Sequence, residues 1–521
     1  MNNSLIHSSS PRTRRCRCLW CLASICICWP IGVVQQASAA TYYVDAARGS
    51  DGNSGIGPAS SWQTLEKVNA ATFAPGDRIL FRAGRRWSGK LHAKGSGAPG
   101  EPIIIDRYGE GALPGIDGAG SEGDGVVWLH NQQYWEINNL EITNDAATGA
   151  DRRGVMVAAA NCGTIHHIHL RNLYIHHIKG IVGQSVRAKD TGGIGIFVEA
   201  DDVNDTRFDD ILIEGCRIRT VDNTGIFTTS KAGGSNTPGG SNWNRRRITN
   251  LHIRGNKISD IAKNAMIIRL ADGGVVEHNV CWDTAYRART GNTIFSRSSR
   301  GTVFQFNEGY LNRSKDFDGC LYDADLESPG CIFQYSYSHD NSHGLFWMCT
   351  EPQDANVIVR YNISQNDKGS IFCINYPNTS CYIYNNVIFV PVHLSPCIID
   401  ERRDVDKTYY FYNNVIYNLS PTASYNWRNA KRTFANNVFF GCHPDGEPAD
   451  PAKITEDPKF VSPGSGGIGL DSLDGYKLRS DSPCIDSGRV APQSVPSDFW
   501  GNPVPHASGM FDRGAHECPR P

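Results

Sequence analysis

Residues 316 to 327 read DFDGCLYDADLE and place five carboxylates, Asp316, Asp318, Asp323, Asp325 and Glu327, in one short stretch. Asp323 and Asp325 are two apart, so in a strand both point to the same side. Two like charges on one face are costly unless solvated, bound to a metal or used in chemistry. A carboxylate pair suits glycoside hydrolysis. One acid protonates the leaving oxygen while the other supports an oxocarbenium-like transition state. Carboxyl groups about 5–5.5 Å apart give retention, and about 6.5–9.5 Å gives inversion. The plain alternative is an exposed acidic turn.

A repeat supplies the frame for these residues. An apolar pair, a small polar residue that is usually Asn, and a second apolar pair recur through the chain. Examples are Ile253-Arg254-Gly255-Asn256, Val276-Glu277-His278-Asn279, Phe304-Gln305-Phe306-Asn307, Ile383-Tyr384-Asn385-Asn386 and Phe411-Tyr412-Asn413-Asn414. From Asn256 the steps are 23, 28, 29, 26, 24, 28 and 23 residues. A period in the twenties with several short β segments marks a solenoid. The leucine consensus of leucine-rich repeats is missing, and alternating β-branched and aromatic residues indicate parallel strands. The expected fold is all-β, a right-handed parallel β-helix with an N-terminal helical cap and a C-terminal cap. Successive coils rise about 4.8 Å, and equivalent Asn side chains stack and bond along the ladder. These asparagines are architecture.

Counting back from the repeat position gives the expected neighbours. Asp325, Glu351 and Asn375 each lie 11 before theirs, which predicts one column on adjacent coils. Asp325 is then the nucleophile and Glu351 the general acid/base, or the reverse; stacked coils favour the short separation and retention. The same counting puts Asp323, Cys349 and Cys373 in a second column, with Cys349 and Cys373 either a disulfide or two buried thiols. Substrate-binding candidates in these coils are Asp323, His339, Asp340, His343, Trp347 and Asn375, with Arg300 from the preceding coils. Indole faces stack on sugar rings, and His, Asp and Asn bond hydroxyls; Trp347 reads equally as core. No metal site is assigned, because the i, i+4 spacing of His339 and His343 converges on a helix and not on a strand.

The ends of the chain differ from its middle. Arg12, Arg14, Arg15 and Arg17 precede an apolar stretch and Ala37-Ser38-Ala39, the order of a secretory signal peptide over 1–39. The expected divisions are then 40–130 (cap and first coils), 131–445 (β-helix repeats) and 446–521 (closing cap). Residues 61 to 71 (SWQTLEKVNAA) read as the amphipathic capping helix, with Trp62, Leu65 and Val68 on one face. Five of the 17 cysteines leave with the leader, and the rest meet an oxidising compartment where some could pair. Lys plus Arg total 51 and Asp plus Glu 53, so nothing marks a nucleic-acid partner. The expectation is a secreted or periplasmic monomer, off the membrane after leader cleavage, with a polysaccharide or oligosaccharide as partner.

Thr41-Tyr42-Tyr43-Val44-Asp45, Gly49-Ser50-Asp51-Gly52 and Trp62-Gln63-Thr64-Leu65 at the start, with Ser482-Pro483-Cys484-Ile485-Asp486 and Gly514-Ala515-His516-Glu517 at the end, carry a family resemblance. The chain resembles secreted bacterial right-handed β-helix carbohydrate-active proteins over nearly all its mature length. The resemblance implies a glycoside hydrolase or a pectate-lyase-type polysaccharide lyase. β-Helical xylosidase-type hydrolases are similar in carrying an Asp and a Glu about one coil apart, which the resemblance matches to Asp325 and Glu351.

Two rivals stand beside the hydrolase. A lyase would use Arg297, Arg300, Arg313 or Lys315 as base, with Asp316, Asp318 and Asp323 holding calcium, the one possible cofactor. Acids outnumber bases there, which suits a polyanion-binding groove poorly. The other rival is a non-catalytic carbohydrate-binding surface protein. Two further features are read as structural first: His166, His167, His169, His176 and His177 as outward strand positions, and the Gly-rich loop 231–247 as a groove wall or a solvated excursion.

Overall fold

The computed structural model describes residues 39–199, 204–230, 236–349, 356–375, 380–404, 408–493, 495–506 and 508–519. The leader expected over 1–39 and the acid Glu351 lie outside the described residues, apart from residue 39 itself. Among the described residues no helix is long and apolar enough to cross a membrane.

Three parallel sheets of 15, 13 and 11 strands run the length of the molecule. One coil takes one strand from each. Val357–Arg360 lies in the first sheet, Ile363–Gln365 in the second and Ser370–Ile374 in the third, and Ser380–Tyr384 re-enters the first. This is the right-handed parallel β-helix expected from the repeat. Inward positions stack coil upon coil: Val276, Phe304, Phe333, Val359, Ile383, Phe411 and Phe434 occupy one register column, all buried. Phe304 and Phe333 stack with centroids 4.8 Å apart, the strand spacing itself.

The first-to-second-sheet corner explains the Asn motif. The residue before each ladder position is left-handed. Gly215 and Gly255 take φ values of 63° and 65° there, but Phe306, Tyr361 and Asn385 do so with side chains, at 52°, 52° and 53°. Such corners are unfavourable for a bulky residue and persist because the next residue is held firmly. The Asn362 amide donates to Phe333 O and Asn386 Oδ1, both at 3.0 Å, and its Oδ1 accepts from Ser336 N at 3.0 Å. The chain of bonds runs from Asn256 through Asn437 and ends where Asp450 accepts from the Asn437 amide at 2.9 Å. Asn362→Ala removes the side-chain partner of Phe333 O and Ser336 N, while Asn386 Oδ1 keeps the Asn362 backbone N at 3.0 Å, and urea unfolding should show a loss on the order of 2–3 kcal/mol. A loss below about 1 kcal/mol would contradict the ladder's structural role.

The N-terminal helix is shorter than its hydrophobic pattern suggests, Leu65–Ala70, because Thr64 caps it by accepting from Lys67 N at 3.2 Å. Trp62 instead bridges Val44 and covers the edge of the first strand. At the other end Ile454 bridges Val438 in the last coil. The tail then runs back along the outside: Asp512 and Gly514 accept from Asn385, Ser497 accepts from Tyr335, and Gly466 accepts from Gln365.

The closing Gly-Ala-His-Glu run sits inside this seam. Burial, then the charges of Asp512 and Asp498, push the Glu517 carboxyl up to about 8. A raised folded-state value means that the stability it contributes is complete below its unfolded value of about 4.3 and is lost as pH rises through 8. Glu517→Gln should therefore flatten the fall of Tm between about pH 4 and pH 8. An unchanged pH profile would show that Glu517 does not titrate with folding.

Candidate active site

The outer face of the third sheet carries the site. Side chains at one register position run Phe295, Asp323, Trp347, Cys373, Asp400, one per coil. Two residues further along each strand a second column runs beside it. Arg269 pairs with Arg297, and Asp325, Cys349 and Asn375 continue it through backbone bonds to the preceding coil, Asp325 N to Ser296 O, Cys349 N to Ala324 O and Asn375 N to Met348 O.

This register corrects two expectations. Cys349 stands in the column of Asp325 and Asn375, at the position the count gives to Glu351, which lies outside the described residues. Trp347, and not Cys349, stands between Asp323 and Cys373. The cause is one connection: Cys349 is 13 residues before Asn362, whereas Asp325 and Asn375 are each 11 before Ser336 and Asn386. Two extra residues between the third and first sheets displace the count by one same-face position. Cys349 and Cys373 are therefore diagonal neighbours, and no disulfide joins them.

Asp318 arrives from a different element. The turn 313–321 between the second and third sheets folds over the third sheet and brings Asp318 to the cavity that Asp323 and Asp325 line. His343 holds that turn from below: its Nε2 lies 2.7 Å from Asp316 O, and its Nδ1 accepts from Ser370 N at 3.2 Å. Its place is therefore beneath the acidic turn, as a positioning residue. The cavity, about 290 Å³, is also lined by Lys189, Lys263, Asn292, Arg297, Trp347 and Asn375.

The three carboxyls are not equivalent. Asp323 is buried at 8% exposure, and burial, then the charges of Asp325 and Asp318, raise it far above the carboxylate range. Its Oδ2 accepts from the Asn292 amide at 2.9 Å, while Oδ1 has no partner. Asp318 is raised mainly by burial and further by Asp325, against the lowering effect of Lys263, Thr290 and Lys189. Asp325 instead faces the Arg297 guanidinium at 3.3 Å. Lys263, desolvated and facing Lys189, is pushed down to about 8. One carboxyl raised by burial beside one paired with a cation is the arrangement that separates acid from nucleophile.

An aromatic wall adjoins the acids. Phe317, 52% exposed in the same turn, lies 5.7 Å from the Trp347 ring, and the Arg402 guanidinium lies over both at 5.9 and 5.2 Å. Neither Phe317, Lys189, Lys263 nor Asn292 stood out in the sequence. An aromatic residue between two aspartates in a turn was the available signal for Phe317.

Three candidates fall elsewhere. His339 and Asp340 lie on the second sheet's strand and the turn after it, where His339 bridges Glu308 at 3.1 Å and Asp340 at 2.8 Å. Against the lowering effect of burial, the hydrogen bonds to Asp340 and Glu308 raise His339 to about 9, and Glu308 in turn accepts from Gly469 N of the tail. Arg300 is held by Asp272 at 2.8 Å and lies over Trp243 at 4.9 Å. Trp243 is wholly buried and donates to Ser298 O at 2.6 Å, so the described part of loop 231–247 is anchored through it. Of the lyase bases, Arg313 pairs with Asp283 at 3.0 Å, away from the acids. Asp316, Asp318 and Asp323 do not bring ligand atoms together as a calcium site needs. Among the described residues the one such trio is Glu136, His167 and His169 on the first sheet, within 4.8 Å of one another.

No family model matches the chain. It is 27% identical to a lacto-N-biosidase from Bifidobacterium longum subsp. longum over 92% of its own length and 36% of the relative's. The chain thus spans about a third of that protein. The crystal structure of GH136 lacto-N-biosidase from Eubacterium ramulus superposes with a TM-score of 0.63 at 24% identity, covering 73% of this chain and 68% of that one. The complex of XylC with xylose superposes at 0.53 and 12% identity, over 92% and 98%. Both structures share the β-helical fold of this chain.

Proposed function

We propose that the protein is an exported glycoside hydrolase acting on an oligosaccharide, with Asp318 as general acid/base and Asp325 as nucleophile. The observation that carries this reading is the convergence of a neutral-leaning Asp318 and an arginine-paired Asp325 on one groove beside an aromatic wall. Asp318 donates its proton to the glycosidic oxygen as the carbon–oxygen bond breaks, and the Asp325 carboxylate bonds the anomeric carbon. Water then attacks that carbon, Asp318 takes its proton, and Asp325 is released with net retention. Asp323, kept neutral by burial, keeps a second charge off the floor while Asn292 fixes it. Phe317 offers a ring face beside the scissile bond, backed by the buried Trp347. The likeness to lacto-N-biosidase over most of the chain supports this reaction class and suggests a lacto-N-bioside-type disaccharide as the released unit.

A lyase is the second reading, favoured by Lys263 alone: at about 8 it is poised to serve as a base in the same cavity. A glycan panel separates the two. Hydrolysis yields new reducing ends with no absorbance from unsaturated uronates. Unsaturated products from a uronate polymer would replace the hydrolase reading with the lyase.

A further inference from the structure

The third sheet's outer face does not end at the acids. Toward the N-terminus the column of Phe295 and Asp323 continues as Ile267, Phe227, Gly195, Met156 and Trp128. Here a cavity of about 450 Å³ opens over Met156, Ala158 and Phe197, with half-buried Trp128 to one side and the exposed Arg187 on its rim. Gly195 shapes this floor. A Cβ there would come within 2.4 Å of the Phe227 ring and 2.9 Å of the Met156 sulfur. Trp128 is held by His92, which stacks on it at 4.1 Å and bonds its carbonyl oxygen at 3.0 Å.

Two features fit this cavity to a sugar chain. The first is continuity. Ser230 lines both this cavity and the next one along the sheet, and Lys189 and Arg297 line both that one and the acid cavity. One groove therefore joins them over four to five strand spacings, on the order of 19–24 Å, further than a disaccharide reaches. The second is charge. Around this cavity Asp151 pairs with Arg153 at 2.9 Å, Asp190 with Arg269 at 3.1 Å and Asp124 with Lys90 at 3.6 Å. An apolar, aromatic floor with these three acids already paired, and with the lining acids Asp124, Asp151, Asp190 and Glu199 outnumbering Arg153 and Arg187, suits a neutral pyranose and not a polyanion.

We propose that the cavity over Trp128, Met156, Ala158 and Phe197 is a distal subsite that holds the remote rings of a neutral oligosaccharide whose scissile bond lies at Asp318 and Asp325. This rests on the hydrolase reading for the position of the scissile bond, while binding at the subsite can be measured without it. Calorimetric titration of the Asp325→Asn protein would use N-acetyllactosamine, xylan and mannan ladders from disaccharide to octasaccharide, with oligoalginate as the anionic control. Affinity should rise about tenfold or more between tetrasaccharide and octasaccharide in one neutral ladder, equivalent to about 1.4 kcal/mol. Trp128→Ala in the same background should abolish the rise and leave disaccharide affinity unchanged. Affinity independent of length in every neutral ladder, tighter binding of oligoalginate, or an equal loss for short and long chains in Trp128→Ala would each overturn the subsite. A length-dependent rise with no glycan cleaved by the unmutated protein would overturn the hydrolase reading and keep the subsite. Cleavage of short glycosides with a flat length profile would do the reverse.

Discussion

Asp325→Asn should lower kcat/KM by about 10⁴-fold or more while the far-UV spectrum and Tm stay near those of the unmutated protein. The amide is close in size and still accepts a hydrogen bond from Arg297, which lies 3.3 Å from the carboxylate. What it loses is the charge that bonds the anomeric carbon. The change also removes a like charge that raises both Asp318 and Asp323, so folding stability should hold or rise. A variant that keeps more than a tenth of the activity would exclude Asp325 as nucleophile. A variant that loses activity together with its fold would be resolved by Asp325→Ser, which removes the carboxylate with less demand on Arg297.

The second large effect belongs to Asp318, and its signature depends on the leaving group. Asp318→Asn should cost about 10²–10⁴-fold on natural oligosaccharides, whose departing hydroxyl needs a proton. On an aryl glycoside with a nitrophenolate leaving group the first step needs little acid catalysis, so the loss should be far smaller. The pH profile gives an independent reading. Because burial and Asp325 raise Asp318, its proton persists to higher pH than an ordinary carboxyl would allow. Activity should fall as pH rises through that value, and Asp318→Asn should erase this alkaline limb. Equal losses on both substrates with an unchanged profile would assign Asp318 a structural role.

The sequence already displayed the frame, because each coil spends a buried Asn on the same corner and that residue type is hard to replace there. The ladder from Asn256 to Asn437, with Ser336 as its one variation, follows directly from the spacing. Asp323 and Asp325 were equally legible, since the two-residue period of a strand fixes their common side. Trp347 and Asn375 also line the cavity beside Asp323 and Asp325. The misplacement came from turns. A third-to-first-sheet connection two residues longer than its neighbours moved Cys349 into the position assigned to Glu351. The second-to-third-sheet turn carried Asp318 over the strand face, a position no count along a column reveals. His339, Asp340 and Arg300 have suitable chemistry but sit elsewhere on the coils, because one coil presents three faces and residue type does not say which.

Covalent trapping tests the assignment of the two acids most directly. The protein would be incubated with a 5-fluoro glycosyl fluoride of the sugar that the glycan panel shows to be released, then digested and mapped by mass spectrometry. One glycosyl adduct on the Asp325 carboxyl, absent from Asp325→Asn, is the predicted result. An adduct on Glu351, or full turnover of the reagent's parent glycoside with no adduct on Asp325, would contradict it.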